Sequence, residues 1–439
     1  MAHSPIPRAA AETPSGAPAR RGRVRWIIAV VITLLAIINY IDRGALSVAM
    51  PDIREDLGFN ATTSGVILSA FVWPYAVMNL PSGWLVDRFG PRVIMTFAIG
   101  AWSICCAVTG AMHTVATFVA ARVGLGVSEA PMFPAAVKGI GTWFHRSEKG
   151  TATSMMIAGT QVGLAASPPV ATALMLAFGW RAMFVLLGLL GVIGVVGWLA
   201  VYRSPEKHPW LSASELAHIR GGQGDDAAPA ADAPVTSREW VSLFRHRSLW
   251  TMIIGDFALQ YLFWFYITWL PTYLQTDRGF TIENAGLVAA LPYIAGAVGA
   301  LVGGRFSDSL AARIPRIDAR RYTIAGGALL TALALLATAT TSGAVLAVTL
   351  LTIGMFTYSL TGPSIWALAT DVVRTQRFVG SVGSIQNFGG FLGGAVAPIT
   401  TGMIVDASGS FGLALLAAGV LALVAAAMYG LVLRRPIPV

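Results

Sequence analysis

Residues 26–50 read WIIAVVITLLAIINYIDRGALSVAM, an apolar run broken by one acid, Asp42, and one base, Arg43. An apolar helix of about 20 residues is long enough to cross the hydrocarbon core of a bilayer. The charged pair lies well inside the run, away from the ends where headgroups could solvate it. A charge at the bilayer centre costs about 2.5–3.5 kcal/mol on insertion scales. Residues kept there usually face the inside of a helical bundle and line a pathway. The stretch therefore predicts a membrane span with a polar inner face.

Eleven further runs follow the same pattern. Together the twelve cover roughly 26–50, 62–86, 92–112, 115–140, 150–177, 181–202, 247–274, 284–304, 321–340, 343–370, 380–404 and 410–433. Of the 439 residues, 55% are hydrophobic and only 12% charged, about half the charge usual for a soluble domain. The surplus apolar surface has to meet lipid. The net charge of +9 would fit a nucleic-acid binder if the bases were clustered, but they are sorted by loop. Twenty-five of the 30 Lys and Arg fall in the N-terminal segment, the even-numbered gaps, the C-terminus or, for Lys138, at a helix end. The odd gaps hold only Arg54, Arg181 and Arg278. That asymmetry is the positive-inside bias. It predicts both termini in the cytoplasm and excludes a nucleic-acid role. Residues 1–25, rich in Ala, Pro, Ser and Arg, read as a disordered cytoplasmic tail ahead of an uncleaved first span. Cys105 and Cys106 are adjacent within one span, so their side chains point about 100° apart and form neither a disulfide nor a metal site.

The chain divides in two. Residues 203–246 turn polar, with Gly221-Gly222, Asp225-Asp226 and an Ala/Pro run, and read as a cytoplasmic linker. Within it Ser212-Ala213-Ser214-Glu215 has the form of a capping box. The linker separates six spans over 26–202 from six over 247–434, with 435–439 as a short cytoplasmic tail. Gly150, Gly159, Gly163, Pro168 and Gly179 recur at an offset of 230 as Gly380, Gly389, Gly393, Pro398 and Gly409. Gly83 and Asp87 recur at 221 as Gly304 and Asp308. The expected fold is all-α and integral to the membrane, twelve spans in two pseudo-symmetric bundles. Parallel repeats with a site at their interface are the architecture of a rocking carrier.

The segment Gly83-Trp84-Leu85-Val86-Asp87-Arg88-Phe89-Gly90-Pro91-Arg92 resembles the loop signature of the major facilitator superfamily. Its Asp87 is placed to cap a helix and to pair with an Arg. A finer resemblance, to the anion:cation symporters of that superfamily, is carried by Asn39-Tyr40-Ile41-Asp42-Arg43, by Arg122 through Pro134 with its Glu129-Ala130-Pro131, and by Trp143-Phe144. Members carry aldonates, glucarate, hexuronates, tartrate and aromatic acids. Thr268-Trp269-Leu270-Pro271 and Asn387 resemble the sugar-acid branch.

The residues support chemistry of that kind independently. Arg122 and Glu129 are seven apart, two turns on one helix face, and with Asp42 and Arg43 can meet in one cavity that is formally neutral when empty. Burial and a neighbouring Arg act oppositely on a carboxylate, leaving an acid poised to exchange a proton. Proton uptake by Asp42 or Glu129 frees an Arg for a substrate carboxylate. The alternative is a pair of structural salt bridges. The resemblance implies Asp42 and Glu129 as proton carriers, Arg43 as carboxylate ligand and Arg122 as partner of an acid. It also implies Tyr40, Tyr75, Gln161, Ser364 and Asn387 as substrate contacts, with Trp366 a cavity wall.

Asp256 stands where sugar-acid relatives tend to have an amide. With Gln260 beside it, it reads as a second-half protonation site or a contact for a substrate hydroxyl, or equally as a gate near the cytoplasmic mouth. Asp87, Arg88, Arg92, Asp308 and Asp371 read as conformational gate residues, Asp371 with Arg374 and Arg377. There is no HExxH, CxxC, P-loop or Gly-x-Ser-x-Gly elbow, so the expectation is a monomeric carrier with neither cofactor nor metal, not an enzyme. Its expected partners are a small organic anion, protons and the lipid bilayer of a bacterial inner membrane. An aromatic or short-chain carboxylate remains open as substrate. A drug exporter and a non-transporting sensor are the competing classes.

Overall fold

A computed structural model describes residues 23–221, 236–373, 378–433 and 436–437. The expected tail therefore lies outside the described residues as far as position 22, as do Arg374 and Arg377. Fourteen α-helices account for nearly all of the described chain. They are α1 Val24–Leu57, α2 Ala61–Ser69, α3 Val72–Thr109, α4 Val115–Glu129, α5 Met132–Trp143, α6 Arg146–Val201, α7 Ala213–Gly221, α8 Ser237–Ser242, α9 Arg247–Thr276, α10 Ile282–Ala311, α11 Arg316–Thr340, α12 Ala344–Asp371, α13 Val379–Ser408 and α14 Gly412–Ala427.

Nine described helical stretches are individually long and apolar enough to cross a membrane. Glycine and proline account for the difference from twelve. Gly90 (φ 81°) and Gly179 (φ 78°) take backbone angles that L side chains avoid and fold α3 and α6 back on themselves. Each of these stretches therefore supplies two crossings. The fourth crossing is split into α4 and α5 at Ala130–Pro131, where Pro131 and Pro134 have no N–H to give the helix ladder. Large apolar side chains stand exposed on the outside, among them Val345 (80%), Leu80 (78%) and Phe97 (72%). This is the surface of a protein dissolved in lipid.

The start of α1 and the chain after α6 are more tightly held than expected. α1 starts at Val24, so Arg25 belongs to the helix, not to a tail. Arg25 is buried and bonds Glu148 (2.9 Å) and Glu215 (2.9 Å). Glu215 is fully buried and also accepts from the backbone N–H of Val24 and Arg25. Its side chain thus caps α1 across space, while Ser212 receives the Glu215 N–H as a local cap. At the other end, the Ile437 N–H donates to the Val372 carbonyl (2.8 Å) and its side chain is buried, so this part of the final segment is docked.

The two halves meet along two seams, both at the end of the bundle remote from the termini. In the first, Gly65 of α2 and Gly402 of α13 allow backbone contact, and a Cβ at either would strike the carbonyl of Pro398 or Ala61. The Ser69 hydroxyl donates to the Ala395 carbonyl across it (2.5 Å). Asp406 of α13 accepts from the Ala61 and Thr62 N–H groups at the start of α2 (2.9 and 2.7 Å). In the second, Gly286 of α10 packs on Thr172 of α6. At the termini end, the ion pairs among the described residues stay within a half or its linker.

Candidate functional site

The centre of the first half is built where helices are interrupted. Pro74 lacks the N–H that would continue α2 into α3, and the break leaves Phe71, fully buried, at the middle of the bundle. Glu129 is the last residue of α4, directly before the Ala130–Pro131 break. Asp42 and Arg43 lie mid-way along the unbroken α1. Asp42, Arg43, Arg122 and Glu129 are all buried, at 2%, 7%, 3% and 0% exposure. The four charges expected to converge do so.

Their pairing differs from expectation. Arg43 Nε donates to Glu129 Oε2 at 2.7 Å, joining α1 to α4. Arg122, expected to partner an acid, forms no ion pair among the described residues, and its Nε has no hydrogen-bond partner there. The reason is reach: Glu129 ends its helix turned toward α1 and spends one oxygen on Arg43. Asp42 likewise makes no ion pair with Arg43, its sequence neighbour. Its Oδ1 lies 3.8 Å from the thiol of buried Cys106, and Oδ2 is unpartnered. Arg43 Nη2 and Glu129 Oε1 are also buried without partners. Buried polar groups are nearly always satisfied. Two guanidinium nitrogens, two carboxylate oxygens and the buried Asn39 amide thus remain as donors and acceptors that a ligand could use.

Aromatic rings hold the guanidinium groups in place. Arg43 Cζ lies 4.6 Å from the Tyr40 ring centre, 4.7 Å from Tyr75 and 5.2 Å from Phe71. Arg122 Cζ lies 5.0 Å from Phe71. Contacts of this kind stabilise a desolvated cation by about 2 kcal/mol. Phe71 also meets Trp264 of the second half (5.9 Å), and Tyr75 meets Phe391 (5.5 Å).

The second half contributes neutral polar groups and one acid. A cavity of about 80 Å³ is lined by Asp256, Gln260, Tyr358, Trp366, Gln386 and Asn387 among others. Asn387 and Phe391 also line a space of about 150 Å³ against Ala76 and Asn79 of the first half. Through Tyr75 and Phe391 this wall is continuous with the arginine site. Of the expected contacts, Tyr40 and Tyr75 lie against Arg43, and Trp366, Asn387, Asp256 and Gln260 line the second-half cavity.

Two expected contacts are elsewhere. Ser364 is fully buried and donates to Ser307 Oγ (2.8 Å), spent on the α10–α12 contact and not on a cavity. Gln161 lines a separate, mostly apolar opening of about 430 Å³ between α6 and α10.

The expected gate residues are engaged locally. Asp87 pairs with Lys138 (2.7 Å) where an Arg was expected, because α5 brings the Lys alongside the loop. Arg88 lies over the rings of Trp84 (5.5 Å) and Phe89 (5.6 Å), and Arg92 donates to the Leu199 carbonyl (3.0 Å). Arg320 bridges Asp308 (2.8 Å) and Asp371 (3.4 Å). Reading the sequence missed Phe71, Cys106, Phe391 and Arg320. Phe71 could have been found from Pro74, which marks the helix break; the others carry no local signal.

The sequence profile of the Major Facilitator Superfamily matches residues 32–398. A probable L-galactonate transporter of Escherichia coli is 39% identical over 97% of this chain and 93% of its own length. A probable sulfoacetate transporter of Cupriavidus necator is 34% identical over 92% of each. Among solved structures, a bacterial homolog of the human lysosomal transporter Spinster, in an inward-facing and unoccupied conformation, superposes with a TM-score of 0.76. It has 18% identity and covers 94% of this chain and 97% of that one. This chain belongs to the major facilitator superfamily, and is a multi-pass membrane transporter, not an enzyme.

Proposed function

We propose that the chain imports a small organic anion, a sugar acid such as an aldonate, aldarate or hexuronate, together with protons. It would work as a monomer by alternating access, with both termini cytoplasmic. The observation that carries this reading is the Arg43–Glu129 pair beside an ion-unpaired Arg122 and Asp42. A carboxylate entering the site meets Arg122, which has no acid bound to it. Protonation of Glu129 releases Arg43, whose planar fork can then take the second oxygen of the same carboxylate. Proton and anion occupancy favour one another because each removes the unfavourable charge the other would leave. The neutral groups of Gln260, Asn387 and Trp366 face the rest of the substrate.

The conformation supports the cycle. Both seams close the end remote from the termini, while the termini end lacks cross-half ion pairs among the described residues. With cytoplasmic termini this is the inward-open state. The likeness to a named L-galactonate transporter supports the substrate class.

The test is uptake into proteoliposomes. An inward proton gradient is expected to drive accumulation of a sugar acid such as galactonate, and a protonophore to collapse it. Uptake indifferent to the gradient would refute proton coupling. Before transport assays, thermal stabilisation by a panel of organic acids identifies ligands: at 100 times its Kd one adds about 2.7 kcal/mol.

A further inference from the structure

Asp256 is the buried acid that this mechanism leaves unused. It is 6% exposed, lies a third of the way along α9 and forms no hydrogen bond or ion pair among the described residues. A buried carboxylate ordinarily has a cation or several donors around it. Here the lining residues Gln260, Tyr358, Trp366, Gln386 and Asn387 include no cation. The Tyr358 hydroxyl is already given to Gln260 Oε1 (2.9 Å), and the Gln386 amide reaches the Ile365 carbonyl (3.4 Å). The facing helix leaves room for the carboxylate: a Cβ at Gly390 would come within 2.5 Å of Asp256 Oδ2. The carboxylate is thus held against a polar cavity, with acceptors to offer and no donor assigned to it.

Resting on the transport reading above, we propose that Asp256 makes this carrier selective for acids with one anionic group and a hydroxylated tail, against acids with an anion at each end. The first half supplies the cations, Arg43 and Arg122, and binds the carboxylate. The far end of a ligand that reaches this wall meets an acid and amides. Hydroxyl groups suit it, because each brings a donor to Asp256 and an acceptor to Asn387 or Gln260. A second carboxylate or a sulfonate does not: it is desolvated next to a carboxylate, with no cation among the described lining residues to compensate it. Like-charge juxtaposition of this kind is a common device for rejecting the wrong partner, costing several kcal/mol.

Galactonate and galactarate make a matched test, since they differ only at the sixth carbon, a primary alcohol in one and a carboxylate in the other. Binding of each to the detergent-purified full-length protein is measured by calorimetry, and uptake in proteoliposomes. Wild type is expected to favour galactonate by at least about tenfold. Asp256→Asn, which keeps the shape and removes the charge, should bring the two within about threefold, mainly by admitting galactarate. Asp256→Glu should keep the preference. If neither acid binds or is carried, the sugar-acid reading fails; if both do and wild type takes them equally or prefers galactarate, this inference alone fails. An unchanged ratio in a folded Asp256→Asn protein also overturns it. Should that variant not fold, the wild-type ratio still decides the matter.

Discussion

The two halves share a scaffold and divide the chemistry. At the offset of 221 residues that relates Gly83 to Gly304, the turn glycines Gly58 and Gly279 correspond, as do the seam glycines Gly65 and Gly286. At that same offset Asp42 and Arg43 fall on Phe263 and Trp264. Phe263 stacks on Tyr358, and Trp264 meets Phe71. The position that carries an ionic pair in one half carries aromatic packing in the other. The repeat thus shares its scaffold, while the buried site cations among the described residues all lie in one half.

That division is broken most directly at Glu129. Glu129→Gln should abolish gradient-driven accumulation of the substrate while counterflow exchange survives, because Arg43 is freed permanently and no proton is needed to release it. Asp42→Asn tests the second acid in the same assay. Normal accumulation in both variants would remove proton coupling from the first half altogether.

The two arginines come next. A charged hydrogen bond contributes about 1.5–3 kcal/mol, so losing a guanidinium fork should weaken binding roughly tenfold to a hundredfold. Arg122 has no acid to satisfy in the empty site, whereas Arg43 is bonded to Glu129. Arg122→Lys should therefore cost as much affinity as Arg43→Lys when each is titrated with galactonate. Arg43→Lys should in addition change the pH at which binding is strongest, since it alters the partner of Glu129. An Arg122→Lys protein of unaltered affinity would leave Arg43 as the sole carboxylate ligand.

The seams extend the comparison to the moving parts. At the 230-residue offset Gly402 corresponds to Thr172 and Asp406 to Leu176. Only the α2–α13 seam has a carboxylate placed on a helix N-terminus of the other half. The start of α10 relies on its own Thr281, which accepts from Asn284 N–H at 3.4 Å. Acids at helix N-termini contribute about 0.3–1 kcal/mol when exposed, and this bond exists only while the seam is shut. Asp406→Asn should shift the resting population severalfold toward the state open at that end. A cysteine placed at Ser69, in a background lacking Cys105 and Cys106, would report the shift as faster labelling by an impermeant thiol reagent. An unchanged labelling rate would assign closure to the glycine contacts alone.

How much of this was legible follows from the kind of signal each feature leaves. Apolar run length and loop charge are local and additive, so the spans and their grouping could be read directly. The four buried charges were legible because each is costly in lipid and needs a shared polar interior. Which acid met which arginine was not, since the Arg43–Glu129 contact depends on where α4 ends against α1, a tertiary fact. Glu215 shows the same limit: its spacing from Ser212 suggested a local cap, and the fold uses its side chain on Arg25 instead. Asp87 found Lys138 for a similar reason. Single polar residues such as Ser364 and Gln161 were least legible, because helix periodicity does not say which neighbour a small polar face will meet.

Ser364 sets the lower end of the scale. Its hydroxyl donates to Ser307 Oγ, which also accepts from Arg320 Nη1 at 2.8 Å, and Arg320 in turn holds Asp308 and Asp371. The serine is thus the inner end of a network tying α10, α11 and α12 together on the side of the second half nearest the termini. Ser364→Ala removes one neutral hydrogen bond, about 1 kcal/mol, and leaves Ser307 still satisfied by Arg320. Thermal stability should fall slightly, while affinity for galactonate stays within about twofold, because no cavity-lining group is touched. Arg320→Gln should lower stability further by removing a cation from the half-buried Asp371, again with little change in affinity. If instead Ser364→Ala weakened galactonate binding tenfold or more at normal stability, the hydroxyl would have to leave Ser307 for the substrate when the site closes. The second half would then supply a substrate contact that exists only in the occluded state, and the division between a first half with the site's cations and a second half without them would describe the empty carrier alone.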